Sequence, residues 1–257
     1  MSGHGLPTND DAMRTTPQAA AQAATQMQLP DGDDEKVVGF GVMGLPFAGG
    51  HYLAYRDFPA TSFAPAYLSV WHRTPDGQWT FYATTPGAQS CSRYFSSATP
   101  TDPIQCDIRS RWVTPWSLAI SIDGLVDWRV DIEATPATRL MTAIATRLPA
   151  AAWTNRAILA VLSNVAGPLL GIGRMRLAGT MPNGQRFRIG PKRVWAVAGS
   201  TAVVRGEDLG PVGPLPTQDN LGDFLLPQRG VCVAGQGLFE PFDTVRHRDS
   251  ARLDLSS

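Results

Sequence analysis

Four residues combine the types and spacing that acid–base chemistry in a closed site requires: His72 and Tyr82, with Val70 and Thr80 beside them. An imidazole on a pocket-facing strand has a tunable pKa near neutrality, so His72 is the candidate proton-transfer group and Tyr82 its orienting partner. The competing reading of His72 is a buried neutral side chain satisfied by a neighbour. Tyr67 could also orient a ligand oxygen, although tyrosines on a sheet usually serve packing. Cys91, Arg93 and Tyr94 stand in the run SCSRYF. That run lies in a connection of about twenty residues, 84–103, long enough to form the mouth of a pocket. A dyad of Cys91 with His72 or His51 is the nucleophilic alternative, set against the usual role of free cysteine as a small buried hydrophobe. No GxSxG, HExxH or paired His–carboxylate spacing occurs, and two of the four histidines, His4 and His247, lie near the termini. Neither a metal nor another cofactor is expected.

These residues need strands to hold them. The segment 51–82 (HYLAYRDFPATSFAPAYLSVWHRTPDGQWTFY) reads as three strands around the turn Pro75-Asp76-Gly77. A type I turn with Gly77 at the left-handed bulge position pairs Thr74 with Gln78. Arg73 then faces Trp79, His72 faces Thr80, Trp71 faces Phe81 and Val70 faces Tyr82. Paired residues share a face. Trp71, Trp79 and Phe81 form one that looks like core, with Arg73 able to lie over an indole ring. Val70, His72, Thr80 and Tyr82 form the other, which looks like a pocket lining.

A second hairpin, 116–133, turns at Asp123-Gly124-Leu125. That loop pairs Ile122 with Val126, Ile120 with Trp128, Leu118 with Val130 and Trp116 with Ile132. A loop one residue shorter would mix apolar and charged side chains on each face, so the longer one is expected. On this register Asp127 belongs to the water-facing side. Thr135-Pro136 opens a helical region with Thr135 as N-cap, and Leu140, Met141, Ile144 and Leu148 form its stripe. A second stripe of Ile158, Val161, Leu162 and Val165 ends at Gly167-Pro168. The helix pair covers or plugs a sheet, or forms a lid for an apolar ligand. Pro182-Asn183-Gly184 turns a third hairpin, setting Leu177 against Ile189 and Gly179 against Phe187. Its likeness to the first (PNGQRFR beside PDGQWTF) fits two related β halves, or convergence on one turn chemistry. A fourth hairpin is expected from 194–198 and 201–205, joined at Gly199-Ser200. Short strands follow near 224–226 and 231–234, with Asp223 and Arg229 as a surface ion pair. The glycine-rich 39–50 lacks the GxGxxG order and reads as a flexible approach to the first strand.

The expected organisation is a disordered tail over 1–36, a first antiparallel β segment over 37–135, a helix pair over 136–172, a second β segment over 173–245, and a tail over 246–257. Across 257 residues, 22 Lys+Arg balance 22 Asp+Glu, which leaves no basic field for nucleic acid. Three widely spaced cysteines give neither a disulfide framework nor a zinc site. No secretory signal and no membrane-spanning run is read, so the protein is expected to be cytoplasmic. Its oligomeric state is left open.

The runs YLSVWHRTPDGQWTFY, SCSRYF, TPATRLM, NGQRF and LPQRG resemble a group of uncharacterised actinobacterial proteins across about residues 37 to 245. More distantly, the aromatic hairpins resemble the lipocalin-like superfamily that includes carotenoid 1,2-hydratase (hydroxyneurosporene synthase). The chain departs from that family in its length, in its helix pair, and in placing Gly77-x-Trp79 inside a hairpin. No catalytic residue carries over. The resemblance implies a lipocalin-like antiparallel barrel or sandwich around an apolar small molecule such as a lipid, terpenoid or polyketide. The leading reading is a binder of such a molecule, with cofactor-free hydratase, isomerase or cyclase chemistry if it is catalytic; the rivals are a non-catalytic carrier in the same fold and a structural module with no pocket.

Overall fold

A computed structural model describes residues 15–95, 98–99, 101–244 and 246–247. One twelve-stranded sheet organises the chain. The first arm comprises β1 (Glu35–Pro46), β2 (Tyr52–Thr61), β3 (Tyr67–Arg73), β4 (Trp79–Ala83) and β5 (Ile104–Gln105). The other arm comprises β6 (Arg109–Thr114), β7 (Ser117–Ile122) and β8 (Val126–Glu133). The arms join through β14 (Val231–Phe239) and the 19-residue β10 (Arg186–Val204). Short strands β9 (Ala178–Thr180) and β11 (Glu207–Asp208) extend β10, while β12 (Asn220–Leu221) and β13 (Phe224–Leu225) form a separate hairpin. The sheet is mixed, because β4 and β5 pair parallel, so the uniformly antiparallel expectation does not hold. Its pairing path, β5-β4-β3-β2-β1-β14-β10-β8-β7-β6 with β9 and β11 attached to β10, is open, with β5 and β6 at its ends. The result is a curled half-barrel.

Turn chemistry sets the local registers. Thr74 N–H donates to Gln78 O at 3.0 Å and Gly77 has φ +90°, which aligns Val70 with Tyr82, Trp71 with Phe81 and His72 with Thr80. The second hairpin takes the three-residue loop, with Ile120 opposite Trp128 and Leu118 opposite Val130. The third pairs Phe187 with Gly179, and Ile189 N–H donates to Leu177 O at 2.7 Å.

The expected fourth hairpin is absent. Residues 194–205 belong to β10 and its end, and Gly199 sits just past a register shift in the pairing with β8. A glycine suited to a turn also suits a bulge, and here it bends one strand instead of reversing the chain. The expected N-terminal tail also contains structure: α1 (Pro17–Ala24) has Thr16 as N-cap, and β1 begins at Glu35. Residues 1–14 and 248–257 lie outside the described residues.

The helix pair is present as α2 (Pro136–Arg147) and α3 (Arg156–Leu170). Thr135 caps α2 in a capping box with Thr138. Its buried face is Thr138, Met141, Thr142 and Ala145, whereas Leu140 is exposed. α3 continues past Pro168 to a left-handed Gly171 cap, because the carbonyl that Pro168 leaves unbonded belongs to the exposed Asn164. It buries Leu159, Ser163, Ala166 and Gly167 and leaves Val161 and Val165 exposed, so the expected stripe is rotated outward. Among the described residues no helix is long and apolar enough to cross a membrane.

Apolar cores occupy both faces. One joins Val42, Leu53, Val70 and Tyr82 of the first arm to Leu118, Ile120, Trp128 and Val130 of the second. The rings of Phe40 in β1 and Trp112 in β6 lie 5.4 Å apart, a contact between strands distant along the path that requires the sheet to curl around that face. The other core holds Trp71, Trp79, Phe81, Tyr52, Phe187 and Phe239 under the segments 91–95 and 215–226.

Candidate functional site

Alternation along β3 and β4 separates the candidate residues into two groups. Val70, His72 and Tyr82 belong to the curled inner core face, where Val70 and Tyr82 are fully buried. His72 Nε2 lies 3.1 Å from His51 Nδ1, with the two rings stacked at 5.4 Å. Burial, His51 and Arg205 push the His72 pKa down to about 4, so it is neutral at pH 7. His51 Nε2 approaches Glu207 Oε1 at 3.5 Å, and Arg205 Nη2 donates to the Tyr82 hydroxyl at 3.4 Å. Thr80 is half-buried opposite His72. On this face Val70 and Tyr82 share one buried core with Leu118, Ile120, Trp128 and Val130 of the second arm.

An apolar cavity of about 80 Å³ lies instead on the Trp71 face. Trp71, Phe95, Phe187, Phe224 and Phe239 wall it, and Gly39, Gly190, Gly235 and Gly237 help form its floor. Gly39 and Gly235 pair directly across β1 and β14. A Cβ on Gly235 would stand 2.5 Å from Gly190 O, so backbone approaches there where a side chain would otherwise fill the space. Residues 39–46 of the glycine-rich run read as a flexible approach thus belong to β1 itself, and only 47–50 form a bridge and turn after it.

The connection 84–103 is not structureless. Two 3₁₀ turns, Gly87–Gln89 and Cys91–Tyr94, fold it down so that Cys91, Tyr94 and Phe95 are buried and line the cavity as its cover. Ser90 starts the second turn by accepting from Ser92 N–H at 3.3 Å. Tyr94 stacks on Phe239 at 4.0 Å and donates to Glu35 Oε2 at 2.8 Å. Arg93 does not line this cavity: it pairs with Glu35 Oε1 at 3.3 Å and lies over Phe63, 5.3 Å from its ring centre. Tyr67 is buried edge-on to Phe58, and its hydroxyl has the Cys91 thiol as neighbour but no nitrogen or oxygen partner among the described residues. Cys91 lies on the Trp71 face whereas His72 and the His51 ring stacked on it lie on the other, so Cys91 forms no dyad with either.

The polar group that defines the cavity is Arg56, which is 4% exposed. Its guanidinium lies 4.5 Å from the centre of the Trp71 ring, the place foreseen for Arg73. Arg73 pairs instead with Asp219 at 2.5 Å. Arg56 Nη1 donates to Val42 O at 2.6 Å and Tyr55 O at 3.0 Å, and Nη2 donates to Met43 O at 3.1 Å. A guanidinium carries five N–H donors. Among the described residues those on Nε and the second on Nη2 have no acceptor, and no carboxylate pairs with Arg56. Its neighbours Tyr52, Tyr67 and Cys91 all have pKa values raised by burial, which keeps them neutral. Burial lowers the Arg56 pKa, yet a guanidinium remains protonated in proteins. The cavity therefore holds a positive charge that backbone carbonyls and the Trp71 ring solvate but that no negative charge among the described residues neutralises.

The signal for Arg56 was available in period two: it follows Tyr52 and Ala54 on the face of β2 that shares Trp71. Among the described residues no group of three or more His, Cys, Asp and Glu could hold a metal ion. The surface wrap pairs Asp223 with Arg176, while Arg229 is exposed.

No family model matches the chain, and no curated protein matches it. Among solved structures it is similar to the acetoacetate decarboxylase of Legionella pneumophila subsp. pneumophila str. Philadelphia 1, at 10% identity over 94% of this chain and 96% of that one, with a TM-score of 0.38.

Proposed function

We propose that this protein binds a small organic acid with an apolar body in the cavity beside Trp71, with Arg56 as the anchor of the acid group. The observation that carries this reading is the guanidinium itself: buried, lining an apolar cavity, and, among the described residues, without a carboxylate partner and with two N–H donors free. Leaving a buried charge unpaired costs several kcal/mol, as a rough magnitude. A ligand carboxylate would offset that cost through charge-assisted hydrogen bonds, and apolar walls would take its body. The aromatic and aliphatic lining favours hydrocarbon over a polyol or nucleotide.

Thermal denaturation with and without ligand tests this. Butanoate at one hundred times its Kd stabilises a protein that binds it by about 2.7 kcal/mol. Butan-1-ol, of the same length but uncharged, is expected to give a much smaller shift. Arg56→Gln, checked for folding by circular dichroism, is expected to lose the response to butanoate. Equal shifts from acid and alcohol would refute the anchoring role of Arg56.

A further inference from the structure

The cavity at Arg56 does not end at its own walls. Met43, Ile189, Phe224 and Val233 line it and also line a second apolar chamber of about 80 Å³, beneath α2 and α3. Met141 and Ala166 of the two helices and Leu170 near the end of α3 close that chamber on the helix side. Arg174, Met175, Arg176 and Leu225 line it in turn, and these four also line an open surface groove of about 830 Å³ along α3. The three spaces are consecutive, each sharing a wall of four residues with the next. Within the two inner walls Met43 and Met175 are unbranched thioethers, which reorient more readily than branched or aromatic side chains. Arg156 and Arg174 in the groove have no ion pair among the described residues, which leaves its mouth locally positive and attractive to an anion.

We infer that the ligand is an elongated straight-chain carboxylate, its acid on Arg56 and its hydrocarbon chain running past Met43 through the second chamber toward the α3 groove. This rests on the reading of Arg56 as a carboxylate anchor and adds the chain length and direction. A compact acid would fill the inner cavity alone and leave the second chamber unexplained. A chain with its acid at the far end would leave the buried guanidinium unpaired.

Calorimetric titration of the full chain with butanoate, hexanoate, octanoate and decanoate provides the test. Each added methylene that enters an apolar chamber is expected to tighten binding about fourfold. Leu170→Trp, which enlarges a half-buried side chain of the second chamber, is expected to leave butanoate affinity unchanged and to abolish the gain for octanoate and decanoate. Ala166→Leu blocks the same chamber and serves if the tryptophan variant does not fold. Butanoate bound as tightly as decanoate, or a chain-length gain that survives both substitutions, would overturn the inference while leaving the Arg56 anchor intact. Failure of every acid to bind wild type would instead remove the anchor, and this inference with it.

Discussion

Arg56 and Asp57 are adjacent on β2 and point to opposite faces, and each carries its own burial cost. Asp57 has its pKa raised from 3.8 to about 6, chiefly by desolvation. Between those values the folded state holds the proton that the unfolded state releases, so this group makes stability fall as pH rises from about 4 to about 6. His72 acts in the other direction. Its folded pKa of about 4 lies below its ordinary 6.5, so its contribution is present above pH 6.5 and is lost as pH falls toward 4. The two slopes oppose one another over much of the same window. Asp57→Asn should therefore raise stability at pH 7 by roughly 1–2 kcal/mol, after allowance for partial exposure, and leave the rise due to His72 uncovered. Urea midpoints at pH 4.5 and 6.5 check this. An unchanged difference between those midpoints in Asp57→Asn would count against the assigned burial cost.

At the level of elements, close approach and capping decide what the strands and helices tolerate. Gly44 lets β1 pass against Tyr52, whose hydroxyl donates to Pro227 O at 2.9 Å. A Cβ at position 44 would stand 1.8 Å from that hydroxyl. Gly44→Ala must therefore displace Tyr52, with a cost of about 1–3 kcal/mol from overpacking, read as a lowered urea midpoint. Thr135→Ala removes the N-cap of α2 and should cost about 1 kcal/mol. A midpoint equal to wild type in either variant would contradict its assigned contact. The hairpin registers were legible because a turn type and a period of two leave few choices, as at Thr74-Gln78 and Ile122-Val126. The outward face of α3 was not, since Val161 and Val165 match a helical stripe as well as Leu159 and Ala166 do, and only the docking of the sheet selects between them. The cavity side of the first hairpin was hidden for a related reason. Trp71 and His72 lie on the two faces of one strand, and what covers each face comes from segments far away in the chain.

For the molecule as a whole, β10 is the decisive element. Its first half pairs with β14 and its second half with β8, so the two arms share one continuous strand. Local patterning around Gly199-Ser200 suggested a reversal, and only the presence of partners on both sides makes a 19-residue strand the better solution. Sharing that strand should couple the arms during unfolding. Tryptophan fluorescence, with Trp71 and Trp79 in one arm and Trp112 and Trp128 in the other, should give a single urea transition coincident with far-ultraviolet circular dichroism. Two separated transitions would show that the arms unfold independently. The same arrangement explains the cavity: β1, β14 and β10 bring their glycines together where the sheet changes from one arm to the other, and β2 supplies the charge.

That charge is the centre of the account. Isothermal titration of wild-type protein and Arg56→Gln with butanoate at pH 7 examines it most directly. Saturable one-to-one binding by wild type, weakened at least tenfold in a folded Arg56→Gln protein, is the predicted result; the loss corresponds to about 1.4 kcal/mol or more, within the range for a charge-assisted pair. Equal affinity in the two proteins would contradict it.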